Sequence, residues 1–218
     1  TSEQVYNAKI SGVLTPFMNE YNNASPYGKA TPNRTGPSLL VSSDTSMKNI
    51  CFEVGADMLN EIIGEGTADT RSFLVVKGGV KLELGKMLDW NRKFDVSVGG
   101  RMEKTSRDGK GSIALTSTVA DAGVSFEVVK KVDLLLGYKM FSAEGNEFQA
   151  PRNDFNQIVN MTEVNINSSQ SVASAGLQLR FSPQQAFSVN YNMVTYNALL
   201  ASNSYNISQL FLVYQGKF

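Results

Sequence analysis

The sequence contains no histidine and a single cysteine, Cys51, in 218 residues. Without histidine the chain lacks the commonest general base. A lone cysteine excludes an internal disulfide and cannot build a cysteine-based metal cluster. Charge is sparse: 18% of residues are charged, against roughly 25% in soluble domains. The charges also balance, with 20 basic and 20 acidic residues. That balance excludes the basic footprint of a nucleic-acid binder and electrostatic attachment to an anionic lipid surface. No apolar run approaches the ~18 residues that a membrane-spanning helix requires; residues 132–138 are far shorter and include Asp133. No glycine-rich phosphate loop follows a strand and opens a helix. If this chain enters a membrane, it does so as strands.

What is present is period-two alternation in stretches of about nine to eleven residues. Successive side chains of a strand point to opposite faces, so alternation means two different environments. Ile50, Phe52, Val54, Ala56 and Met58 alternate with Cys51, Glu53, Gly55 and Asp57. Leu74, Val76, Val80, Leu82 and Leu84 alternate with Lys77, Lys81 and Glu83. Phe94, Val96, Val98 and Met102 alternate with Asp95, Ser97, Arg101 and Glu103. The pattern returns in Ala120 to Val128 around Asp121 and Glu127, and in Val132 to Met140 around Asp133 and Lys139. It returns again in Ala173 to Phe181 around Arg180, in Phe187 to Met193, and in Leu210, Leu212, Tyr214 and Phe218. Eight strands are expected over residues 50–218. The glycine pairs Gly78-Gly79 and Gly99-Gly100 fit strand bends or close backbone approaches.

The connections sort into two alternating classes. Short turns are expected near 89–93, 129–131 and 182–186, and long polar loops near 59–72, 104–118, 142–171 and 196–207. Residues 1–49 form an N-terminal segment, either two further strands (5–14 and 37–41) or a plug or tail. The strand count is therefore eight or ten, and both counts are even. The first residue is Thr, which is compatible with a removed export leader.

The last ten residues form an alternating strand whose apolar face is Leu210, Leu212, Tyr214 and Phe218. This stretch resembles the terminal strand that the barrel-assembly machinery recognises in bacterial outer-membrane β-barrel proteins, although Gly216 stands where many such strands carry another aromatic. Trp90, Phe94, Phe181, Phe187 and Phe218 collect beside the short turns and the end, as an interfacial aromatic belt does. The asparagine-rich style is similar to that of Bacteroidota-type barrels. The resemblance implies an all-β fold: a closed antiparallel up-and-down transmembrane β-barrel of 8–10 strands. Short turns would face the periplasm and long loops the exterior. It also implies residence in the bacterial outer membrane, with the lipid bilayer, the assembly machinery and other envelope proteins as partners.

In such a barrel Glu53, Asp57, Lys77, Lys81, Glu83, Asp95, Arg101, Glu103, Asp121, Glu127, Asp133, Lys139 and Arg180 would line the lumen. They would form either a paired network that closes the interior or a narrow polar conduit. The outer-membrane phospholipase, palmitoyltransferase and omptin-type protease all use a histidine, so those activities are excluded here. Ser-Lys or paired-carboxylate chemistry stays open on spacing alone, but no catalytic, cofactor-binding or metal-binding residue stands out. The expected role is that of a non-enzymatic pore or a structural subunit of an envelope assembly. The rival expectations are a soluble barrel holding an apolar ligand, or the C-terminal part of a longer barrel.

Overall fold

A computed structural model describes residues 34–43, 49–63, 68–109, 111–149, 162–182, 185–197 and 204–216. Ten strands form one sheet: β1 (Arg34–Thr35), β2 (Ser38–Ser42), β3 (Ile50–Glu61), β4 (Ser72–Leu82), β5 (Phe94–Arg107), β6 (Ile113–Val129), β7 (Val132–Gln149), β8 (Thr162–Ser182), β9 (Gln185–Asn197) and β10 (Tyr205–Gly216). Among the described residues one short helix, α1 (Leu84–Met87), lies between β4 and β5. Every pairing is antiparallel and between sequence neighbours, except that β1 and β2 share one edge of β3. They form one edge strand interrupted at Gly36-Pro37, where proline removes a ladder donor. The sheet is an up-and-down meander but not a closed one. Among the described residues β10 pairs with β9 alone, and the β1–β2 edge pairs with β3 alone.

Two expectations need correction. β3 and β5 to β10 are longer than nine to eleven residues, reaching 21 in β8, while β4 has 11. Most of the expected loop at 104–118 is strand, since β5 runs to Arg107 and β6 starts at Ile113, and in the expected loop at 142–171 β7 continues to Gln149 and β8 starts at Thr162. Conversely, β4 ends at Leu82, so Leu84 and Gly85 belong to α1 and Glu83 sits ahead of the helix rather than on a strand. The sorting of short turns from long loops is thus blurred. The connection 83–93 is long for its side, while β6 and β7 are joined by Lys130-Lys131 alone, with Lys131 in the left-handed region at φ 72°. The expected strand at 5–14 and Phe218 lie outside the described residues. The second N-terminal run is observed as β2.

The register fixes two faces. One holds the odd positions of β3 to β7 and the even positions of β8 and β9; it is the inner, more buried face. The opposite, outer face changes character along each strand. From the short-turn end upward β7 presents Leu134, Leu136, Tyr138 and Met140, then Ser142, Glu144 and Asn146. β8 presents Leu179, Leu177, Ala175 and Ala173, then Ser171, Ser169, Asn167 and Asn165. β9 changes from Met193 to Thr195, and β10 from Leu210 to Ser208. On β3 the last apolar outer residue is Met58. Followed through the pairings, this upper edge moves by about eight residues of register over seven strand steps, always in one direction.

The inner face changes in the opposite sense. Its upper half holds the buried apolar cluster of Ile113, Leu115, Val119, Phe141, Ala143 and Ile166, with Tyr196 packed against it. Its lower half is polar, charged and glycine-rich on β3 to β9 apart from Leu135, while β10 contributes Phe211 and Val213 to it. A sheet exposed to water on one face buries the apolar side, and the upper half obeys that rule. The lower half inverts it.

Candidate functional site: the charged inner face

Strand parity alone brings twelve of the thirteen expected lumen residues to the inner face, all except Glu83. Register then decides which of them meet. Glu53 on β3 and Lys77 on β4 form an ion pair of 2.9 Å. Arg101 and Glu103, two residues apart on β5, are paired by their side chains. Lys81 lies 3.9 Å from Asp95 and 4.0 Å from Glu83, and Lys93 approaches Asp95 to 3.4 Å. Asp121 and Lys139 are direct cross-strand partners. Asp57 accepts a hydrogen bond from Ser38 Oγ, which ties β2 to β3.

The densest group is at the short-turn end. Arg180 Nη2 donates to Glu127 Oε1 at 2.8 Å and to Asp133 Oδ1 at 2.9 Å, so β8 reaches across β7 to β6. Glu127 also accepts from the backbone N–H of Lys131 at 3.0 Å and of Lys93 at 3.3 Å. One carboxylate thereby fixes two connections and a guanidinium. Two acceptors for one arginine suit its forked donors.

Burial sharpens the inversion. Asp133 is 1% exposed, Glu103 3% and Lys139 7%, while Val54, Leu136 and Leu177 on the other face are 54%, 46% and 53% exposed. Buried charges are tolerated only when paired, and these are arranged in pairs. Glycines let side chains from the next strand lie flat across the inner wall. A β-carbon at Gly99 would come within 2.9 Å of Asp121 Oδ1, and one at Gly123 within 2.9 Å of Ser97 Oγ. The inner glycines Gly55, Gly79, Gly99, Gly123, Gly137 and Gly176 descend about six residues of register over five strand steps, in the same direction as the upper edge of the apolar band. Over Gly79 and Gly99 a cleft of about 470 Å³ is walled by Glu53, Lys77, Lys81, Arg101 and Asp121.

Trp90, Phe94, Phe181 and Phe187 lie at the short-turn end of the sheet. Trp90 stacks on Phe94 at 5.8 Å, and Phe94 meets Phe126 edge-on at 5.8 Å. Phe181 is exposed, and Phe187 sits between Leu179 and Tyr214 in the register. Leu210, Leu212 and Tyr214 are exposed on one face of β10.

Several inner-face residues were not anticipated: Glu61, which accepts from Arg71 N at 3.0 Å, and Thr105, Arg107, Ser168 and Gln170, all buried. Extending each strand's parity three to five residues past its apolar stretch would have found them. Among the described residues no group of three or more histidine, cysteine, aspartate or glutamate side chains is placed to hold a metal ion. No helix among them is long and apolar enough to cross a membrane. No protein-family model matches the chain, and neither curated proteins nor solved structures show a detectable similarity to it.

Proposed function

We propose that this chain is a non-enzymatic β-barrel of the bacterial outer membrane, serving as a structural subunit of an envelope assembly rather than as an open pore. The observation that carries the membrane reading is the lower half of the sheet, where exposed Val, Leu, Met and Tyr side chains back directly onto paired charges that include the buried Asp133 and Lys139 and the half-buried Arg180. In water that arrangement costs free energy on both faces. Against hydrocarbon it is the favourable one, because the outer side chains meet lipid and the inner charges meet one another.

The slope of the band adds a second, independent support. A membrane plane crosses tilted strands obliquely, so a lipid-facing band steps through the register. About eight residues over seven strands, at ~3.3 Å rise and ~4.8 Å strand spacing, corresponds to a tilt of roughly 40°. Membrane barrels tilt by about 35–45°. The inner glycine line has the same slope. A soluble barrel around an apolar ligand would need the apolar lower face turned inward, and it is turned outward.

The structural role, rather than conduction, is supported by the upper inner face. Phe141, Leu115, Ile113 and Ile166 pack against one another there, a packed apolar surface where a polar conduit would need charged or hydrogen-bonding groups. Assembly machinery would act on β10, whose Leu210, Leu212 and Tyr214 form the exposed stripe.

Fluorescence quenching tests the membrane reading. In a Trp90→Phe background, Leu136→Trp should be strongly quenched by brominated lipid after refolding into vesicles, and Phe141→Trp should not. Equal quenching of the two, or a chain that stays in solution without detergent, overturns it. Planar-bilayer recording of the refolded protein should be silent; steady conductance steps overturn the structural role and favour a pore.

A further inference from the structure

The cleft over Gly79 and Gly99 has a floor of bare backbone. The two glycines are direct cross-strand partners, and Glu53 and Asp121 continue their row on the flanking strands. The glycines are not equivalent. At Gly99 the Asp121 carboxylate takes the place that a side chain would need. At Gly79 a β-carbon would meet only Val98 O at 3.6 Å and Gly99 Cα at 3.7 Å, which is ordinary contact. The backbone of Gly79 also lies outside the left-handed region. Neither packing nor conformation therefore requires glycine at 79, and glycine weakens a strand interior. Its effect is to keep the cleft open, because position 79 faces inward and any side chain there would stand in it.

The walls sort by charge. Above the floor Lys77 and Arg101 are committed, to Glu53 at 2.9 Å and to Glu103 respectively. Below it Lys81, Lys86 and Lys93 share the carboxylates of Glu83 and Asp95. Lys86 pairs with Glu83, and Lys93 approaches Asp95 to 3.4 Å. Lys81 stands 3.9 Å from Asp95 and 4.0 Å from Glu83, beyond hydrogen-bond reach of either, and half its side chain is exposed. Among the described residues one positive charge is thus in excess at the lower lip of the cleft, matched to one negative charge on a ligand. At floor level the requirement is the opposite one. The carboxylates of Glu53 and Asp121 only accept, so they suit hydroxyl groups. The volume of about 470 Å³ falls within the ~300–1,000 Å³ of small-molecule sites, and a glycine floor lets a ring approach the backbone closely. We propose that the cleft binds a singly charged sugar acid of monosaccharide size, with its carboxylate at Lys81 and its hydroxyls at Glu53 and Asp121. The site goes beyond the structural role proposed above and needs no bilayer, since strand register alone builds its walls.

Calorimetric titration of the refolded full chain in detergent tests this with glucuronate, neutral glucose and acetate. Glucuronate should bind saturably and about tenfold more tightly than either of the others, because glucose lacks the charge and acetate the hydroxyls. Lys81→Gln should weaken glucuronate about tenfold and leave glucose unchanged. Gly79→Val should fill the cleft and weaken glucuronate by a similar factor, while the thermal midpoint stays at or above that of wild type. A merely structural glycine would not give that split. If Gly79→Val melts lower, Lys81→Gln, at a half-exposed side chain, still decides the question. The proposal is overturned by a titration without saturable glucuronate heat, or by acetate binding as tightly as glucuronate. It is overturned equally if Lys81→Gln, or a stably folded Gly79→Val, leaves glucuronate affinity unchanged. None of these outcomes alters the lipid quenching of Leu136→Trp, so the membrane reading stands or falls separately.

Discussion

Along β7 the same strand passes through two regimes. In its lower half Leu136 and Tyr138 face outward and Asp133 and Lys139 face inward; in its upper half Ser142 and Glu144 face outward and Phe141 and Ala143 inward. β8 repeats the exchange, from Leu177 and Leu179 outside with Arg180 inside to Asn165 and Asn167 outside with Ile166 inside. Backbone geometry and pairing continue unbroken across the change, so strand formation is indifferent to which face is apolar. On the proposed membrane reading, what differs is the medium that each face meets. The upper half is stabilised as a protein in water is, by burying apolar surface. The lower half gains nothing from water on its apolar face and holds its interior by charge pairing instead.

The largest effect expected from a single substitution belongs to the upper half. Phe141 is 1% exposed within the apolar cluster, and Phe141→Ala should cost about 3–5 kcal/mol, transfer and cavity combined, in a denaturant titration of the refolded protein. A cost near zero would mean that the upper inner face is not a packed core, and the two halves would no longer be different in kind.

Next in size is a charge placed on the outer face at two heights. Leu136→Arg, in the middle of the apolar band, should destabilise by about 2–4 kcal/mol against lipid. Asn165→Arg, outside the band on the exposed polar surface, should stay within about 0.5 kcal/mol. The ratio of the two is the measurement. Equal, small effects in vesicle-refolded protein would place both positions in water.

The lower half was legible in the sequence because its alternation is between extremes. Val54 against Glu53, or Leu134 against Asp133, leaves no doubt about parity, and parity alone gathered the charged residues on one face. The upper half was read as loop because its alternation is muted. In 113–118 the buried set is Ile113, Leu115 and Ser117 and the outer set Ala114, Thr116 and Thr118; small and hydroxylated side chains serve both faces, and glycines and charges at 107–111 look like turn chemistry. The pairing of Arg180 with Glu127 was not legible at all. These residues are 53 apart in sequence, and their meeting depends on the register of two successive hairpins and on bulges at Glu127/Val129 and Arg180/Ser182. Glu83 was misplaced because the alternation ran past the end of β4, where Asn49 O accepts the last backbone N–H and the chain turns into α1.

Glu83 also supplies the smallest expected effect, and one that separates charges in the connections from charges on the inner wall. Its carboxylate accepts a side-chain hydrogen bond from Lys86, which holds Glu83 below the usual carboxylate range and raises Lys86 above the usual lysine range. A carboxylate depressed in the folded state contributes stability above its unfolded value, near 4.3, and loses it as pH falls through the folded value. The lysine acts in the opposite sense: its contribution is present below its unfolded value and lost as pH rises through the folded one. Both therefore contribute fully around neutrality. Wild type should exceed Glu83→Gln slightly at pH 7, with the difference shrinking towards zero on acidification below pH ~4, because ionisation is then lost from the wild type alone. High salt should shrink the same difference at pH 7, since Lys86 is exposed and Glu83 partly so, and the pair is screened. The Arg180–Asp133 pair, with its carboxylate 1% exposed, should resist the same salt, so a matching loss in Asp133→Asn cycles would place the inner wall in bulk water.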